Sequence, residues 1–413
     1  MRATLLLICI CTTSVIFAQR DCASASYLES EKIANPSLSR KIADLESYVS
    51  KQFSLASGQN LKTVNSVIRI PVVVHVLYSN DNQNISEQQI QSQLDVLNKD
   101  FRRKNADTAN TPDRFKSVAG DAGIEFFLAT SDPSGRPTNG IVRKKTNILN
   151  FTTDDKIKFS SKGGDDAWDS KSYLNIWVGN LKGALGYATA PGTDAAKDGL
   201  VIAFSAFGTI NASAPYNLGR TAVHEIGHWL GLKHIWGDNY CGDDFVGDTP
   251  PQGSFTSGCP STFRSTCSNG SLGDMYMNFM DFTNDACLNL FTKGQTERMR
   301  SMFNTGGPRV SLLTSKGLNA PWVFEAALPE AVINRSTSVY PNPASDVITV
   351  NFNGDESWIG KKVQIVSTTG VVLQEVKLSS TIQKISLTPL QSGIYFVKAD
   401  NGSSKLIQKL VKL

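Results

Sequence analysis

The sequence predicts an α/β (α+β) domain, a twisted mixed sheet with helices, followed by a small all-β sandwich domain. Three observations carry this. VIRIPVVVHVLY (67–78) is a β-branched apolar run suited to a buried strand. HEIGHWLGLKH (224–234) lies on a helical pattern and holds three of the chain's four histidines. Beyond residue 335, short alternating apolar stretches are separated by turn signals, the rhythm of a β-sandwich.

The 413 residues suit two or three domains, and 40% apolar with 19% charged residues describe a soluble globular chain. A formal charge of +4, with no block of Lys and Arg, argues against a nucleic-acid partner. Residues 1–18 read as a secretory signal peptide. Arg2 gives a positive start, LLLICICTTSVIF is too short to span a bilayer, and Ala18 offers a small residue for cleavage. No later segment is long and apolar enough to cross a membrane. The expected destination is outside the cell or on its surface, by way of the periplasm.

Residues 19–65 are polar, with one helix-like piece at LSRKIADLESYVSKQF and an exposed linker at SLASGQNLKT (54–63). After the strand at 67–78, Ser86 and Gln89 form a capping box, and Ile90, Leu94, Leu97 and Phe101 share one helix face. IEFFLAT (124–130), YLNIWVGN (173–180) and GLVIAF (199–204) are strands. GALGYAT (183–189) is a weaker one suited to an edge. His75, inside the first strand, reads as a satisfied core histidine.

The histidine window follows on a helix over roughly 217–230. His224 and His228 are four apart and share a face. Glu225 leans toward the same centre. Gly231 can end the helix in the left-handed conformation, so that His234 approaches from a new direction. Three neutral imidazoles with one open position suit a catalytic zinc. Zinc lowers the pKa of a bound water to about 7, and Glu225 can take its proton. A helix with surface histidines leaves Glu225 and Gly231 without a purpose.

The chain has seven cysteines, of which Cys9 and Cys11 leave with the signal peptide. Cys241, Cys259, Cys267 and Cys287 cluster in a loop-rich stretch and read as two disulfides, with three pairings open. Cys22 is left over.

These residues resemble a family. HEIGHWLGLKH matches HExxHxxGxxH of the metzincin metallopeptidases. NFMDF (278–282) supplies Met280 for a methionine turn. With IPVVVHVLY, GDTPPQ (247–252), the four cysteines and NFMDFTNDACLNLFTKGQTERM (278–299), the stretch 65–305 is similar to the pappalysins, in their cytophagalysin branch. The resemblance implies a metzincin-like fold and proteolysis by a zinc-bound water. It also implies disulfides Cys241–Cys267 and Cys259–Cys287. It suggests calcium at Asp244, Asp248 and Thr249, residues read otherwise as a solvated loop. The family often carries Tyr two residues after the methionine, where this chain has Phe282; Tyr187 and Tyr276 are the substitutes considered for its hydroxyl. Asp285 falls in the segment that walls the pocket for the residue after the cut bond, and would favour Arg or Lys there. Cys22 would silence a precursor by taking the fourth zinc position, with Asp21 as second candidate. The other reading of Cys22 is a free or intermolecularly paired thiol.

YPNP (340–343) and GIYFVKA (393–399) resemble the sorting domain of type IX secretion, which implies the secretion machinery as a partner. The expected layout is signal peptide 1–18, propeptide 19–65, catalytic domain 66–320, linker 321–334 and sandwich 335–413. The expected function is a secreted zinc endopeptidase acting on proteins or peptides and made latent. Two alternatives stand beside it. One is a surface adhesin, which would have no use for Glu225. The other is a zinc amidase of cell-wall peptides, which needs the same metal centre.

Overall fold

A computed structural model describes residues 22–58, 66–321 and 337–413. The signal-peptide reading, Asp21 and the second half of the 54–63 linker lie outside them. The chain divides into two units, 1–323 and 324–413.

The first unit opens with two helices where the sequence suggests one: α1 (Ser24–Ala34) and α2 (Ser37–Gly58). α2 runs through the first half of the expected linker, because SLAS continues its helical pattern as far as Gly58. Then come β1 (Ile68–Tyr78), α3 (Glu87–Asp100), a single turn α4 (Asp113–Lys116), β2 (Ile124–Leu128), β3 (Ile141–Lys145), β4 (Leu174–Gly179), β5 (Gly186–Ala188), β6 (Leu200–Ala203), α5 (Arg220–Trp229) and α6 (Lys293–Ser301).

The sheet runs β2-β1-β4-β6-β5, and β3 pairs with the C-terminal half of β1 beyond β2. All pairs are parallel except β5 with β6, which makes β5 the antiparallel edge. β1 is apolar on both faces because both are covered. Ile70, Val72, Val74 and Val76 join the core under α3 and α5, while Val73 and Leu77 face the other side. His75 is buried, with Nδ1 2.7 Å from Asp165 and Nε2 3.0 Å from Asn175 Oδ1.

The capping box at α3 is only half formed. Ser86 accepts from Gln89 N, but the Gln89 side chain donates instead to Phe204 O and Phe207 O. Burial of that side chain against the β6 exit outweighs the local cap. The expected α3 face is buried as read.

The second unit is a sandwich of two antiparallel sheets, β10-β9-β12-β13 and β11-β8-β7. Its strands are β7 (Ser338–Tyr340), β8 (Val347–Asn351), β9 (Lys362–Ser367), β10 (Val372–Lys377), β11 (Ile382–Ser386), β12 (Gly393–Asp400) and β13 (Lys405–Lys412). Ile348, Val350, Trp358, Ile365, Val397 and Leu410 fill its own core.

Candidate metal centre

α5 packs against β5, β6 and α3, and carries His224, Glu225 and His228. It ends at Trp229. Gly231 follows at φ +83°, the left-handed conformation that turns His234 back toward the helix. The three Nε2 atoms lie 3.1, 3.1 and 3.2 Å apart. Each Nδ1 has its own acceptor: Phe279 O for His224 (2.7 Å), Leu232 O for His228 (2.9 Å) and Asp238 Oδ1 for His234 (2.5 Å). With Nδ1 donating, every Nε2 presents a lone pair, and three lone pairs converge on one point. Only a cation makes that arrangement favourable. Nitrogens on a tetrahedral zinc at about 2.0–2.1 Å would sit about 3.3 Å apart, so the residues fit zinc. Burial, then the neighbouring His234, pushes His228 down to about 3, which keeps it neutral and able to bind metal.

Met280 is fully buried beneath α5. A Cβ at Gly227 would meet Met280 Sδ at 2.4 Å, so glycine in HEIGH is what lets the turn approach. The same turn supplies Phe279 O to His224. Asp281 ties it to residues 252–256 by accepting from Thr256 N (2.7 Å) and Gln252 Nε2 (2.9 Å).

Residues 22–24 lie along the edge strand and over the histidines. Cys22 bridges Gly186 in the parallel sense, and Ala23 N donates to Gly186 O (3.0 Å). Cys22 Sγ and one ring nitrogen from each of His224, His228 and His234 all fall within 4.8 Å of one another. Ser24 Oγ donates to Glu225 Oε2 (2.6 Å) and accepts from Ala188 N (2.8 Å).

Residues 158–304 match the family model for pregnancy-associated plasma protein-A, and 338–413 match the secretion system C-terminal sorting domain. Extracellular metalloprotease 1 of Coccidioides posadasii is 33% identical over 251 residues, which cover 57% of this chain and 77% of that protein. A promirolysin mutant of Tannerella forsythia is 47% identical with a TM-score of 0.65, covering 71% of this chain and 97% of that one. Mature mirolysin of the same organism, in complex with a cleaved peptide, is 54% identical with a TM-score of 0.59 over 60% and 96%. The chain belongs to the pappalysin family. It is a secreted zinc metallopeptidase made as a zymogen, with a type IX sorting tail.

The other pappalysin-like residues fall as follows. Cys241–Cys267 and Cys259–Cys287 are both formed, with Cα–Cα distances of 5.6 and 5.8 Å. Phe282 sits beside the histidine cluster, its ring 4.8 Å from His234 and 5.7 Å from His224, against Trp236 and Phe255. Tyr187 cannot stand in for a tyrosine there. It is fully buried, and its hydroxyl donates to Asp155. Tyr276 is half-buried and packs against the core, where Thr283 donates to its carbonyl. The Asp285 carboxylate is buried at the entry to α5 and accepts from Leu218 N (2.8 Å) and Arg220 N (3.2 Å).

Asp244 and Thr249 come together: the Thr249 hydroxyl is 2.9 Å from each Asp244 oxygen. Burial pushes Asp244 up to about 7. Asp248 has a different partner, accepting from Gly294 N at the start of α6. Sequence reasoning missed Ser24, Asp238, Asp281 and Trp236, which stacks on His234 at 4.4 Å. Asp238 alone carried a local signal, an acid four residues after the last histidine of the window.

Proposed function

We propose that His224, His228 and His234 hold the zinc, that Glu225 is the general base, and that Cys22 fills the fourth position in the precursor. The observation that carries this reading is the convergence of three Nε2 atoms whose Nδ1 partners are all acceptors. Zinc at that point supplies Lewis acidity and activates water near neutral pH.

Glu225 is buried beside this point and has no part in holding the metal. In the precursor Ser24 occupies its Oε2. When residues 22–24 leave, the carboxylate becomes free to take and return a proton. Gly186 O and Ala188 N, now used by Ala23 and Ser24, become an open strand edge for the backbone of a peptide substrate. Ser24 thus covers the base while Cys22 covers the metal position.

The latent form is supported by the larger share of this chain matched by promirolysin than by mature mirolysin. Asp285, in the segment after Met280, is proposed to favour Arg or Lys after the cut bond. Calcium is proposed at Asp244 and Thr249, with Asp248 nearby in sequence. A buried carboxylate pushed up to about 7 supports a cation at Asp244.

The test uses the full chain in two forms, one with its own linker for Glu225→Ala and one with a linker that resists cleavage for Cys22→Ala. Glu225→Ala should keep its zinc by metal analysis and lose most turnover after maturation by an added protease. Cys22→Ala should make the uncut precursor active. Loss of zinc from Glu225→Ala would refute the base assignment, and equal latency in Cys22→Ala would refute the thiol switch.

A further inference from the structure

The N-terminal segment is anchored a second time, on the other face of β5 from the metal. Gly186 faces Glu225, since a Cβ there would lie 3.0 Å from Glu225 Cγ. Tyr187, the next residue along the strand, points the opposite way. Tyr27 of α1 enters this face and is itself buried, its ring 4.8 Å from that of Tyr187 at 45°. Its hydroxyl donates to Asp155 Oδ2 (2.8 Å), while the Tyr187 hydroxyl donates to Asp155 Oδ1 (3.1 Å).

Lys158 closes the floor. Its side chain has no exposed surface, and Nζ lies 3.0 Å from Asp155 Oδ1. The same Nζ stands 4.8 and 5.0 Å from the ring centroids of Tyr187 and Tyr27, within cation–π range. At the rim, Lys197 is 3.3 Å from Asp155 Oδ2 and 2.9 Å from Glu31, one helical turn beyond Tyr27. Burial pushes Asp155 up, yet Lys158 and the Tyr27 hydroxyl hold it below its ordinary value, so it stays an ionised acceptor.

Burying a lysine and a carboxylate together is costly, and the metal chemistry uses neither. Within this socket only Tyr27 and Glu31 belong to the N-terminal segment. Once they leave, an aromatic wall, an anionic acceptor and two ammonium groups remain. That is the chemistry of a phenol with an acid beside it. Phenylalanine would fill the same volume and leave Asp155 Oδ2 one donor short.

We propose that Tyr187, Asp155, Lys158 and Lys197 form a phenol-binding subsite beside the cleft. Tyr27 fills it in the precursor. In the mature enzyme it takes a tyrosine side chain of a protein substrate, with an acidic group of that substrate on Lys197. The inference rests on the reading of residues 19–65 as a removable propeptide.

The test uses enzyme matured from the full-length chain. The probe is an acetylated peptide of residues 23–35, which lacks Cys22 and has no thiol for the metal. It should compete with cleavage of a reporter peptide. Tyr27→Phe in the probe should weaken it on the order of tenfold, the loss expected for a hydrogen bond to a charged group. Glu31→Gln should weaken it against wild-type enzyme and have little effect against Lys197→Ala, a half-buried position suited to a folded variant. Cleavage-site mapping on a denatured proteome should show tyrosine enriched at one fixed offset from the cut bond, less so with Lys197→Ala.

Equal inhibition by the tyrosine and phenylalanine probes would overturn phenol recognition. Absence of tyrosine enrichment would overturn the substrate role. N-terminal sequencing separates this from the parent reading. Active enzyme that retains residues 22–34 would refute the removable propeptide and the open socket together. Their removal without any tyrosine dependence would refute the socket alone.

Discussion

Asp238 is the charged partner behind the histidines proposed to hold zinc, and replacing it isolates what that charge contributes. His224 and His228 rest their Nδ1 atoms on carbonyls, whereas His234 rests on a carboxylate oxygen at 2.5 Å. A carboxylate there makes the imidazole a stronger donor to metal and fixes its tautomer. Asp238 sits at φ 61°, a left-handed conformation that Asp and Asn both adopt. Asp238→Asn therefore keeps backbone, shape and an acceptor oxygen, and removes only the charge. Such outer partners typically govern 10–100-fold in metal affinity or activity, about 1.4–2.7 kcal/mol. The Asp238 side chain is 36% exposed, so solvent screens part of its field and the lower end, about tenfold, is expected. The assay is zinc affinity by competition with a chromophoric chelator, on chain freed of residues 22–58 so that Cys22 adds nothing. With saturating zinc, kcat should fall less than affinity does. Zinc affinity within about twofold of wild type would refute the argument that this contact strengthens His234 as a ligand.

Three further outcomes follow from the same geometry. Phe282→Tyr should raise kcat, by up to the 10²–10³ or so that a single oxyanion donor is worth, since the ring lies against His224 and His234; an unchanged or lower kcat would place the new hydroxyl in the Trp236–Phe255 cluster instead. Burial pushes Asp281 up to about 6, so its ionisation costs the fold about 3 kcal/mol, a cost absent below the unfolded value near 4 and complete above 6. Asp281→Asn should therefore raise the melting temperature more at pH 8 than at pH 4, and a pH-independent difference would count against a buried carboxylate. Asp285→Asn should erase any preference for Arg or Lys after the cut bond; cleavage maps that match wild type would show that this carboxylate only caps the entry to α5.

What the sequence discloses depends on how far apart the cooperating residues lie. The histidine cluster was legible because helix period and one left-handed glycine determine where His224, His228 and His234 point, all within eleven residues. β1 and its neighbours were legible because strands buried on both faces must be apolar throughout. β3, IVRKK, was missed because it carries charges outward from the side of β1. The α3 cap was half right for a related reason. Ser86 obeys its local surroundings, but the Gln89 side chain answers to Phe204 and Phe207, more than a hundred residues away. The box at Thr292 and Gln295, which does form, has the same local spelling. Local spelling therefore marks where a box can form and leaves tertiary contacts to decide whether it does.

The N-terminal helices carry the same lesson into function. Cys22 stood out as an odd cysteine, a property visible in composition. Ser24 and Tyr27 are ordinary residues whose partners, Glu225 and Asp155, lie 201 and 128 positions further on. Three contacts along one short stretch reach the histidine cluster, Glu225 and a buried ion pair, each with a different chemistry. Under the proposed thiol switch, a thiol alone could be displaced from the metal by water or a substrate carbonyl. Held at Glu225 and Asp155 as well, it cannot leave unless α1 moves, so latency is a property of the whole helix-bearing segment. Removing the Ser24 or the Tyr27 contact should then shorten latency without abolishing it, whereas Cys22→Ala, which opens the proposed metal position, should leave the uncut precursor active.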